Sequence, residues 1–213
     1  MRVFNAFDRL INEVDASLRT LFVKPATMRP SPAEQHKNAI DLTNAERINA
    51  GRLMRVNHSG EVAAQGLYRA QALTARTPEI RAQMQHSSDE ENEHLNWCET
   101  RIDALGTHKS YLNPLWYWGS FAIGSIAGKA GDRWSLGFVK ETEDQVVRHL
   151  NQHLTQLPAN DIEDLAVVKK MKADEQHHAN VAASSGASRL PLIVRKVFMP
   201  VTAKVMTTLS YRL

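Results

Sequence analysis

The feature that most constrains this chain is a pair of Glu-x-x-His tetrads, Glu91-Asn92-Glu93-His94 and Glu175-Gln176-His177-His178. Each is preceded by a distant glutamate: Glu61 stands 30 residues before Glu91, and Glu143 stands 32 before Glu175. Residues three apart on an α-helix share a face, so each tetrad aims a carboxylate and an imidazole at one point. The chain therefore carries the same two-helix cassette twice, with no wider sequence repeat around it.

The apolar pattern says which way these residues point. Glu143 sits among Leu136, Val139, Val146, Val147 and Leu150, and Glu175 among Val168, Met171, Ala179 and Ala182. Glu91 shares a stripe with Met84, Leu95, Cys98 and Ile102, and Glu61 with Met54, Ala64 and Tyr68. All four carboxylates occupy positions where the helical period calls for a core residue. Left unpaired, each ionised group would cost several kcal/mol; two divalent cations would cancel all four. Glutamate and imidazole suit iron or manganese better than zinc or calcium. One Glu from each of two helices and a Glu-x-x-His from each of two others is a known di-metal ligand set. The candidate ligands are thus Glu61, Glu91, His94, Glu143, Glu175 and His178.

Glu90 and Asp174 immediately precede the motif glutamates. Each is placed to accept the remaining N–H of a ligating imidazole from the opposite cassette. His149 and His177 are expected near the site without being ligands, His149 as an outer contact. His36, His86, His108 and His153 are expected on the surface. Cys98, the only cysteine, excludes an internal disulfide and a Cys-based zinc site; on its stripe it reads as a small core residue.

The rest of the chain reads as helix after helix, which makes the fold class all-α. An amphipathic helix is expected from about residue 4 to 22, with Phe7, Ile11, Val14, Leu18 and Phe22 on one face, followed by a linker at Pro25, Pro30 and Pro32. A capping box at Thr43 and Glu46 opens a long helix to about Thr74. Thr77-Pro78 starts another, ending near Leu105. Further helices are expected from about Arg133 to Gln156, and from a cap at Asn160 and Glu163 to about Ser184. Four long helices with a longer apolar connection between the second and third have the plan of a ferritin-like four-helix bundle. The domain division is 1–32, the amphipathic helix and linker, and 33–213, the bundle with a C-terminal segment.

A net charge of +3 is too diffuse to name nucleic acid as a partner, and no zinc-finger or RNA-recognition spacing appears. Asp8, Glu13 and Asp15 break up any secretory signal at the N-terminus. Two segments are expected to face a membrane. The first, residues 112–128, is apolar and carries Trp116, Tyr117, Trp118 and Phe121. It falls short of the roughly 20 residues a spanning helix needs, so it reads as interfacial or as a bundle crossover. Ser120, Gly124 and Gly128 would let another helix come close. The second segment sets Val194, Val197, Phe198, Val201, Val205 and Leu209 against Arg195, Lys196, Lys204 and Arg212, a pattern that suits anionic headgroups. Trp116, Trp118, Phe121 and Phe198 are the residues expected at the membrane and at substrate access. Packing on the bundle or in a homo-oligomer is the alternative use of both stretches.

At Asn57-His58-Ser59-Gly60-Glu61 the sequence resembles the demethoxyubiquinone hydroxylase family, the 2-polyprenyl-3-methyl-6-methoxy-1,4-benzoquinone monooxygenases. The likeness runs through residues 54–70, 90–94, 141–152 and 174–178, in the family's order and spacing. The resemblance implies two iron ions per chain on the six ligands named above, with Glu91 and Glu175 bridging. It implies ring hydroxylation of a polyprenyl methoxy-benzoquinone late in ubiquinone biosynthesis, with O2 as co-substrate and NADH or another reductant supplying two electrons. It also implies a peripheral place on the cytoplasmic side of the inner membrane, with other ubiquinone-biosynthesis proteins as possible partners. Animal members have a Tyr after the histidine of the third ligand helix, where this chain has Leu150. The competing expectations are a ferritin-like ferroxidase or peroxide scavenger, and a non-catalytic, metal-stabilised scaffold at a membrane.

Overall fold

A computed structural model describes residues 6–36 and 41–213. Seven α-helices carry the fold: α1 (Ala6–Phe22), α2 (Asn44–Thr74), α3 (Pro78–Ala104), α4 (Asn113–Ala130), α5 (Asp132–Gln156), α6 (Ile162–Ser184) and α7 (Met199–Arg212). A 3-10 turn at Pro32–His36 and a π-helical turn at Val194–Phe198 complete it. No strand is present among the described residues. The expected start of α1 at residues 4 and 5 lies outside them.

Local chemistry sets the helix ends. The capping box at Thr43 is formed: its hydroxyl accepts from Glu46 N at 3.3 Å, and Glu46 Oε2 accepts from Thr43 N at 2.8 Å. Two otherwise unpaired backbone donors are satisfied by this exchange. Thr77 caps α3, with Pro78 in the first turn where its missing N–H costs nothing. The cap of α6 differs from the expected one. Asp161, one residue beyond Asn160, accepts from Asp164 N at 3.2 Å, and Glu163 instead pairs with Arg101 of α3.

Helices α2 and α3 form one pair and α5 and α6 the other. Within α2/α3, Arg55 reaches Thr107 while Gln65 reaches Ser88, so the two helices run in opposite directions. The expected four-helix bundle is present, and the residues between its halves form a helix of their own. α4 lies along α2, and glycines set the closeness of that contact. A Cβ on Gly66 would stand 2.3 Å from Tyr117 O, and one on Gly124 would stand 2.7 Å from Leu67 O. No side chain fits at either place, so the stripe of small residues on α4 does let its backbone approach α2.

Two apolar layers fill the bundle. Leu53, Met54, Trp97, Ile102, Leu150 and Met171 make one, and Tyr68, Met84, Leu136, Val139 and Ala182 make the other. Each fully buried large side chain contributes about 1.5–3 kcal/mol. The residues between the layers in sequence, on all four helices, are the candidate ligands. Cys98 is a core residue, fully buried beside Met171.

α1 is amphipathic, but it turns its apolar face outward. Phe7, Ile11, Leu18 and Phe22 are all at least half exposed. The helix is held by its other side, through Glu13 bonded to Arg69 at 2.9 and 3.0 Å and through buried Leu21. The periodicity alone does not decide which face meets the bundle.

Candidate metal centre

Four helices bring six side chains to one point. α2 supplies Glu61, α3 Glu91 and His94, α5 Glu143, and α6 Glu175 and His178; none is more than 5% exposed. Oxygen and nitrogen atoms of Glu61, Glu91, His94 and Glu175 all lie within 4.8 Å of one another. The two motif glutamates each touch both imidazoles. Glu91 reaches His94 Nδ1 at 2.9 Å and His178 Nδ1 at 3.3 Å. Glu175 reaches them at 3.1 Å and 3.1 Å. Each carboxylate thus spans the space between the two rings with one oxygen toward each. Glu61 Oε2 stands 3.7 Å from His94 Nδ1, and Glu143 Oε1 accepts a 2.5 Å hydrogen bond from Tyr68 Oη.

The outer edge of each ring is held across the cassettes. His94 Nε2 meets Asp174 Oδ2 at 3.2 Å, and His178 Nε2 meets Glu90 Oε2 at 2.7 Å. An N–H bond from Nε2 to a carboxylate leaves Nδ1 as the lone-pair nitrogen facing inward, which is the tautomer a metal needs. Asp174 is itself oriented by Lys170 and by Arg29, at 3.4 Å.

The electrostatics of this cluster ask for cations. Burial, reinforced by the charge of Glu91, pushes the Glu61 carboxyl well up; burial, with Glu175 and Glu91, does the same to Glu143. Burial works against both imidazoles as cations, yet the surrounding carboxylates raise His94 well above its usual range and His178 to about 12. Glu91 is held low against burial by its closeness to His178 and His94, although its buried Oε1, 3.3 Å from His178 Nδ1, completes no hydrogen bond. The raised values favour protonated forms, which lessen the negative charge gathered in the cluster. Four carboxylates and two neutral imidazoles fit two divalent ions, with oxygen and nitrogen donors of the kind that suit iron or manganese.

The family model "Ubiquinone biosynthesis protein COQ7" matches residues 49–210. The chain belongs to this family. It is 51% identical over 211 residues to a "3-demethoxyubiquinol 3-hydroxylase" of Nitrosococcus oceani, covering 99% of this chain and 98% of that protein. A relative of the same description from Polynucleobacter asymbioticus is 50% identical over 206 residues, covering 97% and 98%. One from Legionella pneumophila (strain Corby) is 49% identical over 213 residues, covering 99% of each.

In this COQ7-family chain the cluster is the floor of a cavity of about 1000 Å³. Glu61, Glu91, Glu143 and Glu175 line it, whereas His94 and His178 do not. Its walls run between α2, α4, α5 and α7 to a mouth where Leu115, Phe198, Val201 and Val205 are exposed. Trp116 and Phe198 line this cavity; Trp118 and Phe121 do not. Trp118 is exposed, and Phe121 packs against Leu21, Val62, Leu95 and Tyr117 on the α1 side of α4.

The remaining histidines divide differently from expectation. His149 lines the cavity beside His153. His153, expected on the surface, is only 3% exposed: it stands three residues after buried Leu150, on the same side of α5. His36, His86 and His108 are exposed, and so is His177. The sequence pattern gives Tyr68 only a place on the apolar stripe of Glu61. Its signal was available, because it lies two helical turns after Glu61 on the same face, where a buried hydroxyl needs a partner.

Proposed function

We propose that this chain is a di-iron monooxygenase that hydroxylates the ring of a polyprenyl methoxy-benzoquinone, in its quinone or quinol form, in ubiquinone biosynthesis. The observation that carries this reading is a buried Glu4His2 cluster at the floor of a largely apolar cavity open to the surface. The curated relatives named above support the substrate class. A ferroxidase or scaffold reading gains nothing from a cavity of this size and lining.

Glu61, Glu91, His94, Glu143, Glu175 and His178 would hold two irons per chain. When bound and reduced by electrons from NADH or another donor, such a centre supplies activation of O2 for insertion of one oxygen atom at a ring carbon. The protein's part is positional. Glu91 and Glu175, each facing both imidazoles, would tie the two cassettes together around the ions. Asp174 and Glu90 keep the imidazoles oriented, and Tyr68 holds Glu143 by one oxygen. The apolar layers on either side keep bulk water from the carboxylates, which strengthens every charge interaction there. The cavity admits a flat ring to the carboxylate face and leaves a prenyl tail along α4 and α7.

The same proposal places the protein peripherally on the cytoplasmic side of the inner membrane, where other ubiquinone-biosynthesis proteins would meet it. Exposed Leu192, Ile193, Val197, Phe198 and Val201 share the C-terminal segment with exposed Lys196 and Lys204, a mixture that suits an anionic bilayer surface, and Phe198, Val201 and Lys204 line the cavity. No helix among the described residues is long and apolar enough to cross a membrane.

The test is a single turnover. Protein loaded anaerobically with Fe(II) is reduced, given demethoxyquinone and exposed to isotopically heavy O2, and the quinone is weighed by mass spectrometry. One heavy oxygen in the ring, lost in Glu143→Ala, is the expected result. Unlabelled quinone from protein holding two irons would overturn the reading.

A further inference from the structure

The cavity lining is mixed: Ile123, Phe138, Val146, Val201 and Val205 are apolar, α7 adds Thr202 and Lys204, and α5 carries a polar row of Thr142, Gln145, His149 and His153. Spacings of three, four and four residues put these four on one helical face. Thr142 Oγ1, Gln145 Nε2, His149 Nε2 and His153 Nδ1 are all buried and lack a hydrogen-bond partner. An unpaired buried polar atom costs about 1–3 kcal/mol, so four of them along one wall call for something to fill it. A prenyl tail offers no hydrogen bonds. Water does: a buried water takes two to four polar partners and about 30 Å³, and a cavity of about 1000 Å³ has room for both.

The row has a direction. It begins beside Glu143 and rises about 1.5 Å per residue, roughly 16 Å in all, to His153. Beside His153, exposed Gln152 and Gln156 line the same cavity. A polar path thus runs along α5 from solvent to the carboxylate face.

The reaction needs such a path. Ring C–H, O2, two electrons and two protons give ring C–OH and water; the O–O bond breaks, one oxygen enters the C–H bond, and the other leaves with both protons. A reduced pyridine nucleotide or another two-electron donor supplies the electrons. The protons must arrive on the side where oxygen meets the ring. That side is the cavity, because it touches the four carboxylates while the outer nitrogens of both imidazoles face Asp174 and Glu90.

We infer that the α5 row is the proton route of this enzyme: a file of water threaded past His153, His149, Gln145 and Thr142 to the carboxylates. The inference rests on the hydroxylase reading. The two rings stand 4.0 Å apart between centroids. Burial, with Lys204 of α7 adding its charge, lowers His149 to about 4; burial, with His149, lowers His153 to about 3. Both rings are therefore neutral at neutral pH. A neutral imidazole has one N–H and one lone-pair nitrogen, so it takes a proton on one side and gives one up on the other.

The test compares wild type, His153→Leu and His153→Gln as full-length, iron-loaded protein, with thermal melts to establish folding. Leu should lower kcat for hydroxylation by about tenfold or more with KM unchanged, and should enlarge the ratio of rates in H2O and D2O. Gln, which still holds water, should fall between Leu and wild type. Binding of a short-tailed quinone to the metal-free proteins, read by quenching of tryptophan fluorescence, should be the same in all three. A quinone Kd that rises in step with lost turnover would make the row a substrate contact and overturn the route. Unchanged kcat in His153→Leu would overturn it outright while leaving the hydroxylase standing. A wild-type enzyme that forms no product would remove the hydroxylase reading and the route together.

Discussion

The bundle buries two acidic clusters, and they are built differently. At one end Arg101 of α3 lies among Asp161, Glu163 and Asp164, bonded to Glu163 and Asp164 and 3.7 Å from Asp161. In the middle, four glutamates surround two imidazoles, and among the described residues no Arg or Lys forms an ion pair with any of the six. The first cluster carries its cation covalently and joins α3 to the start of α6. Even so, burial pushes Asp164 up to about 7 against the pull of Arg101. The second cluster has no fixed cation and relies on protons, which lets another cation take their place. A buried carboxylate cluster that lacks its own guanidinium is a place for exchangeable charge.

The sharpest way to break this comparison is to remove a carboxylate that faces both imidazoles. Glu175→Ala should lose iron binding by more than the ~10–100-fold that an outer hydrogen-bond partner is worth, and hydroxylation with it, measured by metal analysis after gel filtration and by product formed. Fold should survive in the metal-free state, because a like-charge neighbour has gone. Arg101→Met should do the reverse. Stripping the cation from two buried carboxylates, with half-buried Glu163 beside them, costs about 3–5 kcal/mol, read as a lower midpoint in urea, and added iron should not restore it. If iron rescues Arg101→Met fully, the two clusters are not independent.

The middle cluster was legible in sequence because its residue types, spacing and stripes agree. A helix has one inward face, so Glu61, Glu91, Glu143 and Glu175 had to meet once their neighbours were seen to be core residues. The long helices and the Thr43 and Thr77 caps were legible for a similar local reason. What was not legible depends on three-dimensional neighbours. The sequence pattern leaves His153 on either side of the amphipathic helix, because a histidine fits both, and only its neighbours in the fold bury it. Outward-facing Phe7, Ile11 and Leu18 on α1 have the pattern of a helix that packs inward; the bond from Glu13 to Arg69, 56 residues away, reverses it. Asp161 displaced Asn160 as a cap because Arg101 draws the acidic turn toward α3.

A smaller effect comes from the outer contacts. Asp174→Asn and Glu90→Gln keep shape but remove the charge facing His94 Nε2 and His178 Nε2. Each should weaken iron binding by about 10–100-fold and leave thermal stability of the metal-free protein nearly unchanged. Equal weakening in both would follow from the matched geometry of the two cassettes. Weakening in only one would mean that the two metal positions differ more than their residues do.

The last distinction is in protons. In the metal-free chain Glu61, Glu143, His94 and His178 have their pKa values raised, which favours protonated forms that a metal ligand must give up. Metal binding should therefore release protons, and affinity should rise with pH by about tenfold per unit for each proton released. Co(II) titrations at several pH values between 6 and 8, with a dye to count protons, measure both quantities. The sign is fixed by the direction of the shifts: acid stabilises the protonated, metal-free cluster and competes with the metal. Arg101 does not exchange its charge, so Arg101→Met should leave the proton count per metal unchanged. Proton-free, pH-independent binding would mean that the cluster stands ionised before the metal arrives, and the contrast with the Arg101 cluster would fail.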